Sequence, residues 1–267
     1  MARPPVTPCD QGGVRRLDCQ PSLHASYLNT ADGAELYWEE IGEGPRMLLV
    51  HGGTGSGAYD WEFVRAPLAR SYRLLMVDLR GHGRSSDPLE RLSLDQIGDD
   101  IEALLHQVGG CDAIMAFSIG ASAMITLLCR RPTLTRAFVC IAGSTAGDPT
   151  QVQGIVNGPW PADLKRLRHE HATDADYWRA LRGKLARSWA GHQVSETELT
   201  RLVTPTLVLC GDRDRVEPVE SALSLSRSLP HGELLVLPRC GHFAPRERPA
   251  ELSAMVESFL DRVLARD

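Results

Sequence analysis

Six short apolar runs recur along the chain, each ending against a turn or a helix-like segment. They are RMLLVH (46–51), YRLLMVD (72–78), DAIMAF (112–117), RAFVCIA (136–142), TLVLCG (206–211) and ELLVLP (233–238). Most are continuous rather than alternating, as expected of strands buried on both faces of a parallel sheet. Between two of them, LSLDQIGDDIEALLHQVG puts Leu94, Ile97, Ile101, Leu104, Leu105 and Val108 on one helical face. The segment from Pro249 to Arg266 does the same with Leu252, Met255, Val256, Phe259, Leu260 and Val263. Ahead of the first run, HASYLNT and AELYWEEIG flank Asp32-Gly33, a strong hairpin signal. Strand-helix alternation after an antiparallel start predicts an α/β fold: an open, mostly parallel, eight-stranded sheet with helices on both faces.

One interval breaks this rhythm. From about Ser144 to Thr204 there is no apolar run of the buried-strand type, only turn residues (GDPT, NGPWP) and helical stretches such as ADYWRALRGKLARSWAG. Sixty-odd residues exceed an ordinary connection, so a helical insertion is expected there. Trp178, Leu181, Leu185 and Trp189 fall near one face of its last helix. Residues 1–22, with Pro4, Pro5, Pro8, Gly12, Gly13 and Pro21, read as a loose leader. The expected organisation is a leader (1–22), a first core part (23–143), a helical lid (144–204) and a second core part (205–267).

A formal net charge of −5 and a pI near 6.0 give no reason to expect nucleic acid. No apolar run approaches membrane-span length, and MARPPVTPCD lacks the apolar core of a secretory signal, so a cytoplasmic location is expected. Seven scattered cysteines (Cys9, Cys19, Cys111, Cys129, Cys140, Cys210 and Cys240) form no CxxC pair and no metal-ligand spacing. Those in apolar runs, such as Cys140 and Cys210, are expected to be buried free thiols.

In an open parallel sheet, ligands bind beyond the carboxyl ends of the strands. Ser118 stands at such an end, between DAIMAF and SIGASAMITLLCRR. A sharp strand-turn-helix would lift its hydroxyl above the sheet, and the small neighbours Ala116, Gly120, Ala121 and Ala123 would allow helix and strand to approach. The usual form of this turn is G-x-S-x-G; here Ala116 replaces the first glycine. An ordinary helix N-cap serine is the plain alternative. A reactive serine needs a base, and RCGHFAPRERP offers His242 just after a strand run. The base needs a carboxylate, and LVLCGDRDRVEP offers Asp212 or Asp214 at another strand end. An oxyanion needs amide donors. One would come from Ile119, after the serine, and the other from Gly53 in LLVHGGTGSGAYDW. That loop lacks the Gly-Lys-Ser/Thr of a P-loop and the register of a dinucleotide site.

Together these pieces resemble the α/β-hydrolase superfamily, from about residue 24 to the end. HGGTGSG resembles its oxyanion loop, DLRGHGRS (78–85) the loop after its next strand and AFSIG its nucleophile elbow. GDRDRVEP resembles the acid loop and GHF the histidine loop. The resemblance implies that the acid is Asp214, three residues after the glycine, with Asp212 the alternative. By the same pattern His82 belongs to a structural turn, and His51 orders the oxyanion loop. A serine at the elbow excludes the aspartyl chemistry of dehalogenases and epoxide hydrolases and implies acyl chemistry that requires no metal or cofactor. The implied activity is hydrolysis of a small-molecule carboxylic ester by Ser118, His242 and Asp214. Thioester, carbon-carbon bond or perhydrolase chemistry on the same residues, or a fold that binds without turnover, are the alternatives. Lys165, Arg166, Arg168, Arg179, Arg182, Lys184 and Arg187 read as a solvated basic face, with an acidic substrate or carrier protein as the second reading.

Overall fold

The computed structural model describes residues 24–53, 55–86, 92–150, 157 and 175–265. The leader and most of the stretch from 151 to 174, with Lys165, Arg166 and Arg168, lie outside the described residues, as do Cys9 and Cys19. The elements run β1 (His24–Asn29), β2 (Glu35–Ile41), β3 (Arg46–Val50), α1 (Gly57–Asp60), α2 (Arg65–Leu68), β4 (Arg73–Val77) and α3 (Leu94–Val108). Next come β5 (Ala113–Phe117), α4 (Ile119–Arg130), β6 (Ala137–Ile141), α5 (Ala175–Ala190) and α6 (Glu196–Leu199). The chain continues with β7 (Thr206–Gly211), α7 (Val219–Ser228), β8 (Gly232–Leu237), α8 (Ala244–Glu247) and α9 (Pro249–Leu264).

All eight strands form one sheet in the order β1-β2-β4-β3-β5-β6-β7-β8. β1 pairs antiparallel with β2, and β2 with β4; every other pairing is parallel. Alternation within each central strand sends side chains to opposite faces. Leu48, Val50, Ile114, Ala116, Phe138 and Cys140 join one cluster with α3, α4, α5 and α7. Met47, Leu49, Met115, Phe117, Val139 and Ile141 join a second cluster with α2 and α9. Both faces are therefore covered, which is why the runs read as continuous.

Two sequence expectations need correction at the periphery. ELLVLP is not buried on both faces: β8 is an edge strand, and its Leu234 is 37% exposed. Met255 points outward from α9, whereas Leu252, Val256, Phe259 and Leu260 are buried. Helix α3 follows its signals closely. Ser93 Oγ accepts the Gln96 N–H at its start, and Gly109 closes it with φ +83°. Cys129, Cys140, Cys210 and Cys240 are buried free thiols, and Cys111 is partly buried. Burial pushes Cys140 and Cys240 up to about 12, so neither is a thiolate at neutral pH. Among the described residues, no helix is long and apolar enough to cross a membrane.

The DLRGHGRS turn is held by buried charge. Arg80 Nε donates to Asp100 Oδ2 at 2.6 Å, its Nη2 to Asp100 Oδ1 at 2.5 Å, and its Nη1 to Asp32 Oδ2 at 3.0 Å. Arg80 is only 1% exposed and Asp100 5%. Asp100→Ala strands this guanidinium with one half-exposed partner and is expected to cost about 3–5 kcal/mol of stability. A urea midpoint that hardly moves would mean that Asp32 alone suffices.

Candidate active site

β5 ends at Phe117, and Ser118 follows with φ 53° and ψ −124°, a region that L residues seldom occupy. The turn is fixed on both sides: Ser118 N–H donates to Ile141 O at 2.8 Å, and Ser122 N–H donates to Ser118 O at 3.0 Å. Ala116, fully buried, pairs with Val50 on one side and Cys140 on the other, so the extra methyl is accommodated in the sheet. Gly120 has no such latitude, because a Cβ there would overlap the His51 carbonyl oxygen. Ser118 does occupy the N-cap position of α4, but its side chain caps nothing.

That hydroxyl instead lies 3.0 Å from His242 Nε2, and His242 Nδ1 lies 2.8 Å from Asp214 Oδ2. His242 is brought in by the loop after β8, and its ring tilts against Phe117 with centroids 5.1 Å apart. The Asp214 side chain is fully buried. Its Oδ1 accepts the N–H groups of Val216 at 2.8 Å and Glu217 at 2.9 Å. Burial opposes ionisation of this carboxyl, but the imidazole and the two amides outweigh it and hold its pKa below the ordinary value. Asp212 is exposed and does other work: its Oδ1 accepts the Cys240 N–H at 3.1 Å, tying the two loops together.

The loop after β3 meets the head of α4. His51 is buried, its Nε2 accepts the Leu79 N–H at 2.8 Å, and its Nδ1 faces Gly52 O at 2.7 Å. The amide donor fixes the tautomer, so the ring proton sits on Nδ1 and is donated to the Gly52 carbonyl. Burial pushes the pKa of His51 well down, which keeps the ring neutral. His82 stands in its turn as expected, with Nδ1 3.0 Å from Arg80 O, but its Nε2 also lies 3.0 Å from Gly53 O. Gly52 N–H is taken by Asp60 Oδ2 at 2.8 Å. The N–H groups of Gly53 and Ile119 have no acceptor among the described residues. A Cβ on Gly53 would stand 3.1 Å from Ile119 Cγ2 and 3.3 Å from Leu185 Cδ1, so α5 reaches this loop too.

Helix α5 buries Trp178, Leu181, Leu185 and Trp189, and Tyr177 OH donates to Gly81 O at 2.7 Å. Arg182 departs from the expected basic surface. The buried stripe advances by 3.6 residues from Trp178, so position 182 falls within it, and the side chain is buried while Arg179 and Arg187 are exposed.

Two residues that the sequence did not mark also bear on the site. Asp60 is one; an acid between two buried aromatics, Tyr59 and Trp61, was the available signal. Arg246 is the other. It joins the histidine loop to the segment carrying Asp60, donating to Tyr59 O at 2.8 Å and to Glu62 Oε2 at 3.1 Å, with its guanidinium over the Tyr59 ring. Nothing in PRERP distinguished it from its neighbours.

Comparison with known proteins agrees with this architecture. The chain is 25% identical to the AB hydrolase superfamily protein YisY of Bacillus subtilis, over 87% of this chain and 98% of that one. It is 27% identical to the 2-hydroxy-6-oxo-6-(2'-aminophenyl)hexa-2,4-dienoic acid hydrolase of Metapseudomonas resinovorans, over 90% and 92%. Among solved structures, a thermophilic esterase from Thermogutta terrifontis superposes with a TM-score of 0.77 at 21% identity, covering 90% of this chain and 99% of that one. Residues 47–255, from β3 to the middle of α9, match the model of the Alpha/beta hydrolase family, and the chain belongs to that family.

Proposed function

We propose that the protein is a serine hydrolase that cleaves a carboxylic ester, or a related acyl bond, of a small molecule. One observation carries the reading: an unbroken hydrogen-bond line from Asp214 through His242 to Ser118, at the head of α4. Ser118 Oγ attacks the carbonyl carbon while His242 Nε2 takes its proton. The oxyanion rests on the Gly53 and Ile119 amides, and Asp214 stabilises the imidazolium. His242 then gives the proton to the leaving oxygen, and the acyl-enzyme forms as the alcohol departs. Water, deprotonated by the same imidazole, attacks the acyl carbonyl and releases the acid and the free serine. Each of these steps is carried by the side chains and amides named.

We extend the proposal to the insertion between residues 144 and 204 as a lid, dividing the core into 23–143 and 205–267. The position of Leu185 supports it: its Cδ1 lies 3.3 Å from where a Cβ on Gly53 would stand, which brings α5 beside one of the two amides. A second reading, carbon-carbon bond cleavage of an oxo-dienoate on the same residues, is favoured by the name of the Metapseudomonas relative.

A panel of p-nitrophenyl esters, acyl thioesters and vinylogous β-diketones separates the two. Ester kcat/KM is expected to exceed the diketone value by about tenfold or more, a difference near 1.4 kcal/mol in transition-state stabilisation. The reverse ranking assigns the chain to carbon-carbon cleavage. No turnover of any member, with no fluorophosphonate label on the protein, would leave a binding protein.

A further inference from the structure

Asp60, the last residue of α1, is 2% exposed and belongs to none of the steps above. Its Oδ2 accepts the Gly52 N–H, while its Oδ1 is buried with no hydrogen-bond partner among the described residues. The backbone leaves room for this carboxyl at Gly55, where any side chain would run into both oxygens. Three charged or titratable groups face it from the elements around it. Arg246 comes from α8, His242 from the loop before α8, and Asp78 from the end of β4, where its Oδ1 also accepts the Gly57 N–H at 2.8 Å. Glu62 shares the Arg246 guanidinium.

The consequence for the loop is geometric. Gly52 is held on both sides, its N–H by Asp60 and its C=O by the protonated Nδ1 of His51, with the Gly55 N–H on the same carbonyl at 3.4 Å. A trans peptide points its C=O and the next N–H in opposite directions. Fixing the Gly52 carbonyl on His51 therefore turns the Gly53 N–H the other way, and fixing the Gly52 N–H removes the freedom that two adjacent glycines would otherwise have. Gly52 itself, committed to Asp60, offers no donor to a substrate.

We propose that Asp60 is a positioning residue for the acyl-transfer reaction, setting the Gly53 amide for the oxyanion through its grip on Gly52, and that it does so as a neutral acid. This rests on the reading of Ser118 as nucleophile. A carboxylate with one oxygen buried and without a partner among the described residues, close to a second carboxylate, is costly, whereas the protonated form keeps an acceptor for Gly52 and carries no charge. Burial pushes the Asp60 pKa up to about 7, against the pull of the Gly52 amide, Arg246 and His242. A negative charge under the loop would oppose the charge developing on the substrate oxygen. Ionisation above neutrality therefore lowers kcat.

The test is p-nitrophenyl acetate hydrolysis from about pH 5.5 to 9 by the wild type, Asp60→Asn and Asp60→Leu. Asp60→Leu is expected to lower kcat about 100-fold, the scale of one oxyanion donor, with KM within about threefold. Asp60→Asn keeps an acceptor oxygen and is expected to restore kcat to within about threefold of wild type at pH 6. It should also lack the fall in kcat that the wild type shows above neutrality. Wild-type kcat in the Leu variant, or an Asn variant as impaired as Leu, overturns the positioning role. Identical pH profiles for wild type and Asn overturn the neutral state, and this comparison stands even if Asp60→Leu does not fold. A wild type that neither turns over ester nor takes a fluorophosphonate label overturns the acyl-transfer reading, and this assignment with it.

Discussion

Ser118→Ala is expected to lower ester kcat by about 10⁴-fold or more, with KM and the far-UV circular dichroism spectrum little changed. The backbone argument comes first. Ser118 sits at φ 53°, a cost that the fold bears whichever small side chain is present, and its hydroxyl caps nothing in α4. Removing Oγ therefore deletes no hydrogen bond that the helix needs. What it deletes is the 3.0 Å contact with His242 Nε2 and with it the atom that would carry the acyl group. A loss of about 10⁴ corresponds to roughly 5.5 kcal/mol of transition-state stabilisation. The oxyanion amides and the binding surface survive the substitution, so a residual rate above that of water is expected. Intact-protein mass spectrometry after fluorophosphonate treatment gives an independent reading: one adduct per wild-type chain, mapped to Ser118, and none in the variant. Activity within tenfold of wild type would remove Ser118 from the reaction altogether.

How much of this could be read from the sequence depended on how local the determinants were. Five of the six strand runs were legible because β3 to β7 are covered on both faces, where burial leaves no room for polar alternation. β8 failed that rule because an edge strand has one covered flank, and Leu234 can face solvent at little cost. The positions of Ser118, Asp214 and His242 were legible because each follows an apolar run, and strand ends in such a sheet converge. Their contact spans 124 residues between Ser118 and His242 and had to come from the fold. Asp60 and Arg246 were not legible: Asp60 holds a backbone atom, the Gly52 N–H, and Arg246 reaches the Tyr59 carbonyl and the Glu62 carboxylate, 187 and 184 residues away along the chain. No residue type marks a backbone atom as a partner. Arg182 misled for a different reason. Charge suggested solvent, while the helical period placed it under α5, and the period prevailed.

Asp214→Asn is expected to lower kcat by about 10⁴-fold, whereas Asp212→Asn should stay within about tenfold of wild type. The two residues differ in what an amide can replace. Asp212 accepts from the backbone of the Arg239–Cys240 turn, the Cys240 N–H at 3.1 Å, and an asparagine oxygen can still accept there, though less strongly. Asp214 accepts from His242 Nδ1, and an asparagine can turn its NH₂ toward that nitrogen. The ring then takes the other tautomer, with its proton on Nε2 facing Ser118, and cannot receive a second one without becoming charged against no carboxylate. Protonation of Asp214 itself does not intrude on the assay. Its folded pKa lies below 3.8, so the stability contributed by its ionised form is present above 3.8 and is lost only as pH falls through the lower folded value. Between about pH 5 and 9 the carboxylate is therefore the prevailing form. A reversed ranking of the two variants would transfer the acid role to Asp212. The Ser118→Ala background provides the sharper form of the test. If Asp214 acts only by way of His242 on the serine hydroxyl, adding Asp214→Asn there should change the residual rate less than tenfold, because the group it serves is already gone.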